Sequence, residues 1–166
     1  MKHLLITIII AIFSAIDVTA QEQTTQNNTL VDSLIVQINR LQHDYDFLYC
    51  QNILEHLQFD LKTMNNDLQG RANGIMINCQ HNNYDIDLYI AYRDNYDSLI
   101  RLFDSTKEKV EANRTLVAMK MITSNFSTSE LEILRKNYNF IDNLLSTIDS
   151  SLKYYKTLLD FYRNLR

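Results

Sequence analysis

The chain contains no proline and no tryptophan, and only two glycines, Gly70 and Gly74, in 166 residues. Tight β-hairpins draw heavily on glycine, so a sheet of many short turns has little to build with here. The same shortage removes the glycine-rich loops that cradle phosphates. No cluster of lysine or arginine occurs, and the formal net charge is −4. That balance excludes the electrostatic footprint of a nucleic-acid binder or of a protein held to an anionic membrane surface. Apolar runs long enough to span a bilayer are absent too. The one extended run, Leu4 to Ile16, is about thirteen residues, short of the roughly twenty that a spanning helix needs.

That run has a different use. Lys2 and His3 give a short basic start, the apolar stretch follows, and Val18-Thr19-Ala20 supplies small residues before Gln21. This is the layout of a secretory signal peptide over residues 1–20, cleaved between Ala20 and Gln21. The protein is therefore expected to be exported, periplasmic or extracellular, with no transmembrane segment in the mature chain. Residues 21–28 are polar and of low complexity and are expected to form a flexible leader.

From residue 29 on, the pattern is helical. The clearest stretch is the last forty residues. Ser127 followed by Glu130 forms a capping box, and Phe126 and Leu131 are placed for a hydrophobic staple. Leu131, Leu134, Tyr138, Ile141, Leu145, Ile148, Leu152, Tyr155, Leu159 and Tyr162 then recur at spacings of three and four without a miss. A second apolar row, Phe140, Leu144, Tyr154, Leu158, Phe161 and Leu165, runs beside the first. A stripe that wide suits a helix packed on two neighbours. Two further helices are expected over about 29–68 and 84–123, and the last over about 128–165. The first carries two offset seams. One is Leu34, Ile38, Leu41, Tyr45 and Leu48; the other runs from Phe47 and Cys50 through Leu54, Leu57, Leu61 and Met64 to Leu68. Ser105 with Glu108 resembles a second capping box, but an unbroken helix through Asp104–Lys109 is the preferred reading. Residues 65–83, which hold both glycines, are expected to form a loop with Gly74–Cys79 as a buried crossover or strand-like run. The fold class is all-α: an elongated up-down-up three-helix bundle with long coiled-coil-like helices, in a single domain over 29–166.

Few residues carry chemistry. Cys50 and Cys79 are the only cysteines, and export to an oxidising compartment favours a disulfide between them; two free thiols are the alternative. With the first helix ending at Leu68, Cys50 lies about 27 Å back from that end. The segment Gln69–Cys79 reaches about 33–36 Å when extended, so closure is feasible. His43, Cys50, Cys79 and His81 have zinc-type side chains, but His43 and Cys50 sit about 10.5 Å apart along one helix, which serves one ion badly. No metal, cofactor or catalytic residue is assigned. Tyr84, Asp85, Tyr89, Tyr92 and Tyr96 crowd the start of the second helix. They read as core tyrosines reaching the bundle edge, or as an aromatic binding surface for a sugar or peptide. The expected function is that of a non-enzymatic, protein-binding or envelope-associated module. The alternative is an oligomeric periplasmic holdase or assembly protein with projecting helices. A protein partner or self-association is expected, with no nucleic acid.

Overall fold

The computed structural model describes residues 24–81 and 84–166, with side chains from Leu30 onward. These residues form three α-helices: α1 (Thr24–Gln80), α2 (Ile86–Thr123) and α3 (Thr128–Asn164). No strand occurs among the described residues. The expected signal peptide and its cleavage point lie outside them. The described residues divide into two units, the first ending at Gln42 and the second running from His43 to Arg166.

The second unit is a three-helix bundle, and cross-helix contacts give its sense. Lys120 of α2 donates to Asp46 of α1 at 2.8 Å, and Asn78 of α1 donates to the Tyr92 hydroxyl of α2 at 2.6 Å. Early residues of α1 thus meet late residues of α2, so these helices are antiparallel. Arg114 of α2 donates to Asp142 of α3 at 2.8 Å, and Tyr155 of α3 donates to the Tyr92 carbonyl at 3.1 Å, which makes α2 and α3 antiparallel too. Gln58 donates to Asn137 and Ser151 to Asn65, in matching order, so α1 and α3 run parallel. The arrangement is up-down-up.

The core follows the sequence spacing. Leu54, Leu57 and Leu61 of α1, Val110 and Val117 of α2, and Leu134, Ile141 and Ile148 of α3 are almost wholly buried in one cluster. This is the second seam of α1 and the first row of α3. The second row of α3 divides: Leu144, Leu158 and Leu165 are half-buried, whereas Phe140, Tyr154 and Phe161 are exposed. The first seam of α1 takes no part in the core; Ile38, Leu41, Tyr45 and Leu48 are exposed.

The capping box at Ser127 falls where the sequence puts it. Ser127 accepts from the Glu130 amide at 3.3 Å, and Glu130 accepts from the Ser127 amide at 2.8 Å. Phe126 is buried beside the cap, edge-on to the rings of His43 and Phe47. Asp85 caps α2 by accepting from the amides of Asp87 and Leu88. Helix α2 passes unbroken through Asp104–Lys109 because Phe103 and Val110, one on each side, are both buried.

Two boundaries differ from expectation. Helix α1 begins at Thr24, inside the stretch read as a leader, and it continues to Gln80. The loop expected over residues 65–83, and the crossover at Gly74–Cys79, are helix as far as Gln80. The reason is burial. Leu68, Ala72 and Ile75 continue the core stripe at spacings of four and three, exposed by only 1%, 4% and 0%. Each glycine costs a helix about 1 kcal/mol relative to alanine. Burying a leucine or isoleucine returns about 1.5–3 kcal/mol. The stripe wins.

Candidate functional site

The tyrosine-rich region is built by the ends of all three helices. Tyr84 lies 5.5 Å from the Tyr162 ring, and Tyr92 meets the same ring edge-on at 5.8 Å. Tyr96 stacks on Tyr155 at 5.6 Å. The Tyr162 hydroxyl accepts from the Asp85 amide at 2.9 Å, so the residue that caps α2 is itself pinned to α3. Tyr89 packs against the core as well. Of the five residues singled out in the sequence, four tyrosines are half-buried against the bundle, and Asp85 is occupied as a cap. Burial pushes the Tyr155 hydroxyl up to about 12 and raises Tyr96 and Tyr162 in the same direction. These phenols stay protonated near neutral pH and serve as hydrogen-bonding groups. Tyr155 and Tyr162 appeared in the sequence only as members of the α3 stripe.

The cysteines do not meet. Both are free, Cys50 buried and Cys79 half-buried. They sit on one continuous helix, roughly 44 Å apart at 1.5 Å per residue, so the expected disulfide is corrected. The error came from ending the helix at Leu68: an unbroken α1 cannot fold back on itself. Burial raises the Cys50 thiol, and nearby Asp46 adds to the rise while Lys120 opposes it; burial also raises Cys79. A raised thiol is a poor nucleophile. His43, like Cys50, lies far along α1 from Cys79. Among the described residues, no group of three or more histidine, cysteine or acidic side chains comes together as a metal ion would require.

The polar cluster that the sequence did not reveal is at the opposite end. Asp46 is the one buried charged residue among those described, 6% exposed. It accepts from Lys120 at 2.8 Å and from the Ser124 hydroxyl at 2.7 Å, tying α1 to the end of α2. Lys120 is raised chiefly by that hydrogen bond. Close by, the two ring nitrogens of His43 lie 3.3 Å from Asp44 and 3.4 Å from Glu130. Glu130 is held below the usual carboxylate range, mainly by the Ser127 hydroxyl. Asp46, Lys120 and Ser124 brace α1 against the end of α2, and Ser127 and Glu130 close the cap of α3.

Around it lies apolar surface. The Asp46–Lys120 bond sets the turn of Tyr45 and Leu48 beside the last turns of α2. There Leu116, Met119 and Ile122 stand one turn apart, with Ile122 exposed by 84% and Met119 by 63%. Among the described residues, no helix is long and apolar enough to cross a membrane. Comparison with known proteins finds no matching family, no matching curated protein and no matching solved structure.

Proposed function

We propose that this protein is exported, loses residues 1–20 on the way, and acts without catalysis as a helical bundle that binds another protein. The observation that carries the binding half is the apolar surface formed by Leu116, Met119 and Ile122, one turn apart at the end of α2. Single exposed apolar residues are ordinary, but a contiguous group beside a polar, hydrogen-bonded rim is how protein-contact surfaces are commonly made. Export is supported by the order basic start, apolar run and small residues in Met1–Ala20. The raised Cys50 and Cys79 thiols support a role without thiol chemistry.

The test is crosslinking in the native host, comparing the wild-type chain with Met119→Glu combined with Ile122→Glu. Both residues are exposed, so the variant folds normally, which circular dichroism checks. The expected result is one or more crosslinked species that the variant loses. Identical crosslinking by the two chains contradicts the reading.

A further inference from the structure

We infer that α1 carries a second interface, a coiled-coil seam that takes a second copy of this chain, parallel and in register. Leu34, Ile38 and Leu41 lie in the first unit on an uninterrupted helix, and Ile38 and Leu41 are exposed by 38% and 65%. Their spacing of four then three is that of a coiled-coil seam. With leucine at position d, the register reads Val31 a, Leu34 d, Ile38 a, Leu41 d.

Two features choose the occupant. Branched Val31 and Ile38 at a, with leucine at d, favour two parallel strands over three or four. The flanking g and e positions, Gln37 and Gln42, are uncharged, so identical helices placed side by side meet no like-charge repulsion. Each feature is satisfied by the same sequence opposite itself. The seam differs from the Met119–Ile122 surface, and the inference rests on the proposed function only in taking Met1–Ala20 to be removed.

The experiment is light scattering on a sizing column with the full gene product, expressed in a secretion-competent host, at micromolar concentration. Intact mass is read on the same sample. Wild type is expected at twice the mass of one chain, and Leu41→Glu at once that mass with undiminished helical signal. In a Cys79→Ser background, Leu41→Cys is expected to crosslink to its own copy under mild oxidation, because only a parallel, in-register pair brings position 41 to itself. A monomeric wild type that starts at Gln21 overturns the proposal while leaving the protein-binding reading standing. A dimer whose mass Leu41→Glu leaves unchanged overturns the seam, and a dimer that fails to crosslink through Leu41→Cys overturns the parallel pairing. A chain that keeps Met1 overturns the export reading instead, and its mass still tests the seam.

Discussion

Asp46 shows how one side chain decides the geometry of a bundle end. Its carboxylate is out of solvent and holds both Lys120 and Ser124. Replacing Asp46 with alanine strands two donors, which is expected to cost about 1–3 kcal/mol of unfolding free energy. Urea denaturation followed by circular dichroism reads this, and Asp46→Asn, which keeps one acceptor oxygen, is expected to lose less. The pair also has a pH signature. Lys120 is raised in the folded state, so its contribution is complete below the ordinary lysine value of 10.5 and is lost as pH rises through the higher folded value. Glu130 has the opposite sign. Its folded value is lowered, so its contribution is present above the ordinary value of 4.5 and is lost as pH falls through the folded one. Stability is therefore expected to decline at both ends of the pH range, with Asp46→Ala flattening the alkaline arm. Nothing in the sequence distinguished Asp46 from the other surface-type acids. It becomes buried where Lys120 and Ser124, at the end of α2, close over it, and that is a tertiary event.

At the scale of single elements, the capping box at Ser127 and the core stripes were legible, because a capping box and a three-four spacing are local. Ser127→Ala is expected to cost about 1 kcal/mol by freeing the Glu130 amide. The length of α1 was not legible. Glycine and asparagine in residues 65–83 signal a turn when counted locally, while Leu68, Ala72 and Ile75 signal a helix only when the register is carried forward from Leu61. Gly70 tests which account is right. A Cβ built there meets nothing within 4 Å, so Gly70→Ala is expected to stabilise the bundle by up to about 1 kcal/mol. A loss of stability would mean that residue 70 needs glycine's freedom, as a loop would. The misplaced end also explains the misplaced disulfide, since both inferences depended on the chain turning back after Leu68.

At the scale of the molecule, the three helices of the second unit share one continuous hydrophobic interior. The core is continuous from Leu54 to Ile75 along α1 and from Leu134 to Tyr162 along α3. Leu54→Ala or Ile141→Ala, each at a fully buried site, is expected to cost about 2–5 kcal/mol. Reductant is expected to leave the unfolding midpoint unchanged, because Cys50 and Cys79 are free thiols. What the protein does rests on where it goes and what its outer faces touch. The most direct test of that account is the location and first residue of the protein recovered from its native host, read by fractionation and intact mass. The account predicts a chain beginning at Gln21 outside the cytoplasm. A chain that begins at Met1 and stays in the cytoplasm would contradict it.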